Sequence, residues 1–331
     1  MRRTRLGDAR REGRPEERTR RAPGLALALA LSTSLSLGAG CQGSPSPSAS
    51  SSAPGPAVSA AALSGRPLAL GDREVLLDGD GERLFIGVLE PAPPNADPPL
   101  RMRARLVDED GEAIPWEFRG LVIDRVRFTR GGGALMLSTR GDLWWVALPP
   151  KGGEEVIDSG VVGAVGASLD GETLVYTKGE EPDLEVYRLA PDARESKRVA
   201  EGFAPAWSPG VSPDGRVVYV VSGRTGYPAW WRLADGEEPV QLTNVGVKFV
   251  PGEPPPPLAP FAAGLGPTLV GERLVIFEGR GAVHVMTTDG RLVKTLADAR
   301  APFWERPGAV VGYLDTAAGA VRSLDLAELA P

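Results

Sequence analysis

One unit recurs along this chain: a tight glycine-bearing turn, an apolar strand-like run, a polar break and a second run. It reads DGERLFIGV at 80–88, GGALMLS at 132–138, DGETLVYT at 170–177, DGRVVYVV at 214–221, GERLVIFE at 271–278 and GAVVGYL at 308–314. Asp-Gly or Gly-Gly ahead of an apolar run is a hairpin signal, because glycine supplies the positive φ of the turn. A second run follows each at 101–107, 142–148, 183–189, 228–233, 282–287 and 320–326. A third often follows, at 154–158, 239–243 and 291–296, and a strand precedes the turn at 126–129, 205–208 and 302–305. The unit is four antiparallel strands, and 42 Gly with 32 Pro favour short strands and turns over long helices.

The turn glycines at 81, 132, 171, 215, 271 and 308 stand 51, 39, 44, 56 and 37 residues apart. Four-stranded propeller blades run about 40–45 residues, and the two long intervals contain the Pro-rich insertions 91–99 and 251–257. The expectation is an all-β fold over 66–331, a six-bladed β-propeller of four-stranded antiparallel blades; a two-sheet sandwich and a seven-bladed wheel are the alternatives. The sixth unit has only three strands before the chain stops, whereas Pro67–Leu70 is a spare apolar segment ahead of the first strand, Glu74–Leu77. That segment is expected to complete the sixth sheet and close the ring.

Residues 1–40 read differently. An Arg-rich stretch to Arg21 precedes the apolar run Leu25–Leu37 and the small residues Gly38, Ala39 and Gly40 ahead of Cys41, the only cysteine of the chain. The apolar run is too short to span a bilayer, which takes about 20 residues, and fits the core of a secretory signal. The arrangement resembles the bacterial lipoprotein signal, with Gly38 where that family usually has Leu. The resemblance implies cleavage before Cys41, acylation of its thiol and anchorage to the cell envelope, on the periplasmic face of the outer membrane or at the cell surface. From Gln42 to Gly65, 21 of 24 residues are Ser, Pro, Ala or Gly. With Cys41 they form a lipid-anchored tether, 41–65, whose reach is roughly 25–30 Å.

The fourth unit carries Trp207-Ser208-Pro209, then Ser212-Pro213-Asp214-Gly215, Val217–Val221, Trp230–Leu233 and Leu242-Thr243-Asn244. This is similar to the blade signature of TolB-like propellers, with four extra residues between Trp207 and Asp214 and a weaker echo in Ser168–Leu189. The other units match in strand rhythm alone. The resemblance implies the propeller fold and a protein partner in the envelope, of no stated identity.

Chemistry is sparse. No G-x-S-x-G nucleophile elbow occurs, and the one G-x-G-x-x-G, Gly38–Gly43, straddles the cleavage site. The only histidine, His284, lies in the strand AVHVMT and reads as structural. The string Asp78-Gly-Asp-Gly-Glu82 has Arg83 and Leu89 where a calcium loop needs Gly and a bidentate Glu, so it reads as a turn. No catalytic residue, metal or cofactor is expected. Residues 1–24 carry +5 and the rest of the chain −11, an acidic balance that argues against nucleic acid. The paired tryptophans Trp144-Trp145 and Trp230-Trp231 should point to opposite sheet faces, one of each wedging between blades. The expected function is a non-enzymatic, membrane-anchored protein-binding or scaffold module. The alternative is a propeller enzyme or carbohydrate binder acting on an envelope or extracellular polymer, which several channel carboxylates with Arg would favour. Strand alternation places insertion 91–99 and the loop 245–261 on one face of the wheel. The candidate binding face is therefore Tyr227, Trp230, Phe249 and Pro254, Pro255, Pro256 and Pro257.

Overall fold

The structure, a computed structural model, describes residues 66–329 except 69, 93, 95–99, 109, 117–122, 130–132, 150–151, 181–182, 226–227, 244–267 and 280. All of them belong to one compact unit, Pro56–Pro331. The short strand β1 (Arg66–Pro67) precedes six consecutive antiparallel sheets. The first is β2 (Glu74–Gly79), β3 (Arg83–Pro91) and β4 (Leu100–Asp108). The second is β5 (Ile123–Thr129), β6 (Gly133–Ser138), β7 (Leu143–Ala147) and β8 (Glu154–Asp158). The third is β9 (Val161–Ala167), β10 (Leu174–Lys178), β11 (Glu185–Leu189) and β12 (Lys197–Arg198). The fourth is β13 (Ala206–Val211), β14 (Val217–Ser222), β15 (Ala229–Ala234) and β16 (Val240–Gln241). The fifth is β17 (Thr268–Val270), β18 (Leu274–Gly279), β19 (Ala282–Thr287) and β20 (Leu292–Ala297). The sixth is β21 (Ala299–Arg306), β22 (Val310–Asp315) and β23 (Ala320–Asp325), with β1 beside β23 through Arg66↔Val321 and Pro67↔Ala320.

The first strand of each sheet is innermost. β2 touches β5 and β21, β9 touches β5 and β13, and β17 touches β13 and β21, so these strands form a closed ring. The molecule is a six-bladed β-propeller. Among the described residues the sole helical turn is a 3-10 turn at Leu326–Leu329, and no helix is long and apolar enough to cross a membrane.

The core is six wedges, one between each pair of neighbouring blades. Leu76, Leu84 and Val107 meet Phe303 and Val321 between blades 1 and 6; Val186 and Val175 meet Phe203 and Trp231 between blades 3 and 4. Because a blade is covered on both faces, β6 is buried at all six positions and shows no in–out alternation. Both indoles of the Trp230-Trp231 pair are wedges. Trp230 packs on Phe277 of blade 5 at 4.7 Å, while Trp231 meets Phe203 edge-on at 5.3 Å in the cluster between blades 3 and 4.

The turn signature has a local physical basis. In blade 4 the Ser212 hydroxyl donates to Asp214 Oδ1 at 2.6 Å and accepts from the Val217 amide at 2.9 Å, tying the turn to the strand it launches. Blade 3 repeats this with Ser168, Asp170 and Thr173. Gly215 has φ +74, and a Cβ there would collide with Thr173 of the preceding blade, so glycine serves both turn shape and blade spacing. Gly81, Gly171 and Gly308 also have positive φ. Gly271 does not; it sits at the start of its turn and donates its amide to the Leu274 carbonyl at 2.9 Å. Gly132 lies outside the described residues.

Blade 1 departs from the pattern. Among the described residues it has three strands, and an isolated bridge, Val107↔Ala113, stands where a fourth would run. Its β3 and β4 are nine residues each, whereas the second and third strands of every other blade are five or six.

Candidate functional site

With four strands alternating in direction, the turns of each blade alternate between the two faces of the wheel. One face carries the short turns between first and second strands. The other carries the second-to-third connections and the links between blades. The ends that flank both insertions, Pro91 and Leu100 in blade 1, Thr243 and Thr268 between blades 4 and 5, lie on that second face. The lengthened β3–β4 hairpin projects from it.

Beside this hairpin the channel opens as a funnel of about 630 Å³. Its wall is apolar at Leu76, Leu77, Leu89, Met102, Ile123 and Leu314, and charged at Glu74, Asp124, Arg125, Glu278 and Arg300. A smaller space of about 130 Å³ continues inward past Val126, Leu135, Val165 and Arg127. Arg127 also lines a space of about 90 Å³ at the opposite end, with Asp78, Asp80, Ser168 and Trp304. Its side chain stands between the two.

Arg127 and Asp78 are buried, at 6% and 4% exposure. The Asp78 carboxylate accepts the Phe128 amide at 2.5 Å, and Arg127 Nη1 donates to the Val165 carbonyl at 3.4 Å. Burial pushes the Asp78 carboxyl up to about 7, against the pull of the Arg127 charge and the Phe128 amide. Burial likewise lowers the Arg127 pKa, opposed by Asp78. A guanidinium does not lose its proton in a protein, so Asp78 is the member of the pair that titrates near neutrality.

The remaining channel carboxylates are engaged within the protein. Glu74 accepts from Arg105 at 2.8 Å and from the Gly71 amide. Asp80 accepts the Arg83 amide and pairs with its guanidinium at 2.7 Å. Asp124 lies 3.4 Å from Arg125, and Glu278 accepts the Ala301 amide of the next blade at 2.8 Å. Among the described residues no group of three His, Cys, Asp or Glu is arranged to hold a metal.

The structure sorts the residues singled out in the sequence. In Asp78-Gly-Asp-Gly-Glu82 the Asp78 carboxylate, at the end of β2, turns inward to blade 2 and Asp80 caps the turn that follows, so the string is a strand end running into a turn. His284 bridges Thr295 Oγ1 and the Gly279 carbonyl at 3.1 Å each, and burial lowers its pKa; its place is structural. Trp230 is corrected: it is 1% exposed inside the wedge between blades 4 and 5 and forms no part of the exposed face. Its backbone faces the blade edge, where its amide donates to Thr243 Oγ1 at 2.9 Å, but its indole points to the neighbouring blade. Cys41, Tyr227, Phe249 and Pro254–Pro257 lie outside the described residues. Sequence reasoning missed Arg127 and Glu278; a charged residue inside a strand flanked by apolar positions, as in VRF and IFEG, is the signal that marks them.

No family model matches the chain, and no curated protein matches it. Solved structures do. TolB from Acinetobacter baumannii superposes with a TM-score of 0.50 at 18% identity, over 75% of this chain and 65% of that one. A protein assigned as TolB from Agrobacterium tumefaciens also gives 0.50, at 15% identity over 76% of this chain and 91% of its own. The fold is the β-propeller found in TolB. An oligogalacturonate lyase from Vibrio parahaemolyticus aligns at 11% identity over 78% of this chain and 91% of its own, with a TM-score of 0.42. This chain thus spans just under two-thirds of the Acinetobacter protein. At these identities the likeness is one of architecture, which many unrelated functions share.

Proposed function

We propose that the chain is a lipid-anchored, extracytoplasmic propeller that binds a protein partner in a bacterial cell envelope, without catalysis. The observation that carries this reading is the asymmetry of the two faces: one has short turns, the other has the projecting β3–β4 hairpin and the strand ends that flank both insertions. Long segments on one face of a rigid scaffold are where recognition concentrates. Engagement of Glu74, Asp80, Asp124 and Glu278 by internal donors is consistent with a structural role for the channel charges. The Cys41 signal supplies the anchor and the 41–65 tether the reach. The test is capture of envelope proteins by the intact lipoprotein after cross-linking in membranes. Removal of Gly252–Pro257 should weaken capture, and lengthening the Asp289-Gly290 turn on the opposite face should not. Cys41→Ser should release the protein from the membrane fraction. Equal capture by both loop variants would overturn the assignment of the face.

The second reading, an enzyme or carbohydrate binder, draws on one observation: five carboxylates with Arg125, Arg127 and Arg300 line the channel, and one of them, Asp78, has a pKa of about 7. Turnover of an envelope polysaccharide that disappears in Asp78→Asn while the fold persists would replace the binding reading with this one.

A further inference from the structure

Arg127 stands on β5 between Val126 and Phe128, whose side chains belong to the wedge between blades 1 and 2. Strand alternation sends Arg127 the other way, toward β9 of blade 3, where Nη1 donates to the Val165 carbonyl at 3.4 Å. That long bond is its single hydrogen bond among the described residues, and it forms no ion pair with any of them. At 6% exposure, most of the five N–H donors of the guanidinium thus lack a protein acceptor. A buried charge so sparsely bonded is costly. The other channel charges are better served: Glu74 pairs with Arg105, Asp80 with Arg83 and Asp124 with Arg125.

The space of about 130 Å³ that Arg127 lines is otherwise largely apolar, walled by Leu76, Val126, Leu135, Leu137, Leu143 and Ala164. It shares Asp124, Arg125 and Glu278 with the funnel, which is its way in from solvent. An apolar cavity of about 150 Å³ holds benzene, so this one has room for an acid of about four carbons.

We propose that Arg127 anchors a ligand site inside the channel, for a short-chain aliphatic monocarboxylate. The planar guanidinium fork matches a carboxylate in a bidentate pair, and the leucine-lined space takes the tail, whose burial adds affinity in proportion to its length. The site goes beyond the protein-binding reading, which concerns the loop-bearing face. Asp78 sets when the Arg127 charge is free. It lines the space on the far side of Arg127 and titrates near neutrality. The charges that act on it are Arg127, which draws its pKa down, and Asp80, itself paired with Arg83, which raises it. Strands β9 and β17 bring no charge to this end. Asp124, Arg125 and Glu278 lie on the funnel side, as does Arg300 of β21, whose Glu305 is taken up by Ser323. With its proton, Asp78 leaves the Arg127 charge to the guest; ionised, it competes for that charge and repels the guest. Binding therefore weakens as pH rises through the Asp78 pKa.

The probe is sodium butyrate, titrated by calorimetry into the full chain at pH 6 and pH 8, with acetate and butyramide as controls. At pH 6 butyrate should bind about tenfold more tightly than acetate, whose tail is shorter. Butyramide, which keeps the tail and lacks the charge, should not bind. At pH 8 the parent should bind butyrate about tenfold more weakly, whereas Asp78→Asn should bind it equally at both. Arg127→Gln should lose binding, and its urea midpoint, measured alongside, reports that it folds. Where Arg127→Gln does not fold, the butyramide and pH arms decide with the protein unaltered. Four results would each overturn the proposal: equal binding of butyramide, no heat with millimolar butyrate, one affinity at both pH values in the parent, or a folded Arg127→Gln that binds as the parent does. None of them bears on capture of an envelope protein by the loop-bearing face, so the two readings fail separately.

Discussion

Blades 1 and 4 share a strand order and differ in nearly everything the strands do with it. Blade 4 has its turn tied by Ser212 and Asp214, a tryptophan in each flanking wedge and a strand on its outer edge. Blade 1 has no such serine, an outer edge met among the described residues by a single bridge, a hairpin of two nine-residue strands and a buried carboxylate, Asp78, that reaches across to Phe128 of blade 2. The comparison teaches where this protein puts stability and where it leaves surface. Side chains of the regular blade are consumed by packing, and those of the irregular blade border the funnel.

The largest expected difference is in packing. Trp230→Ala should cost about 3–5 kcal/mol, as removal of a fully buried aromatic does. Trp116 is half-buried against Phe85 of blade 1, its ring 5.7 Å away, and Trp116→Ala should cost about half as much. Urea unfolding of both variants checks this, and equal losses would break the contrast.

The next difference is one of sign with pH. The folded pKa of Asp78 is about 7, above its ordinary 3.8. The folded state then holds the proton more tightly, so this group lowers stability as pH rises from about 4 to about 7, by on the order of 3 kcal/mol. Asp78→Asn should flatten that slope. Asp214 behaves oppositely: the Ser212 hydroxyl and the Arg216 amide hold its pKa below the usual range. Its contribution is present above the ordinary carboxylate pKa and is lost as pH falls through the depressed one. Urea midpoints of the parent and of Asp78→Asn and Asp214→Asn between pH 3 and pH 8 separate the two, and slopes of the same sign would refute the burial of Asp78.

Smaller effects follow at the turns. Ser212→Ala leaves the Val217 amide without its partner and should cost about 1–2 kcal/mol. Asp80→Ala in the matching turn of blade 1 removes a partly exposed cap and ion pair and should cost about 0.5–1 kcal/mol. Least of all, replacing residues 92–99 by Asn-Gly should shift stability by no more than about 0.5 kcal/mol. In blade 4 the corresponding loop is anchored: Arg224 stacks on Phe203 at 4.6 Å and on Trp231 at 5.7 Å. Shortening it should therefore destabilise measurably, by thermal melting.

The strand positions were legible because each depends on a local signal. Runs such as LVIFE and VVYVV follow a turn and lie in strands over Leu274–Gly279 and Val217–Ser222. The two-residue strands Lys197–Arg198 and Val240–Gln241 carry little apolar patterning of their own; their place is set by the strands they cover. Of the candidate site, the sequence located the loop-bearing face but not its lining. Strand alternation puts Trp230 on that face, but its exposure depends on a neighbouring blade that alternation cannot see. In the sequence Asp78 reads as part of a turn and Arg127 as a lone charge inside the strand VRFT.

From the sequence alone follow the number of blades, the order of strands within each and the face on which each turn falls. Turn chemistry and apolar runs are properties of a few consecutive residues, and antiparallel alternation then carries them around the wheel. Tertiary structure decided which side chains are inside and what they meet. Every blade is covered on both faces, so alternation within a strand no longer reports burial, and β6 is buried throughout. The contact of Asp78 with Phe128 joins residues 50 apart. It exists only because the ring sets β2 beside β5, and only there does an ordinary carboxylate lose its water and titrate near neutrality.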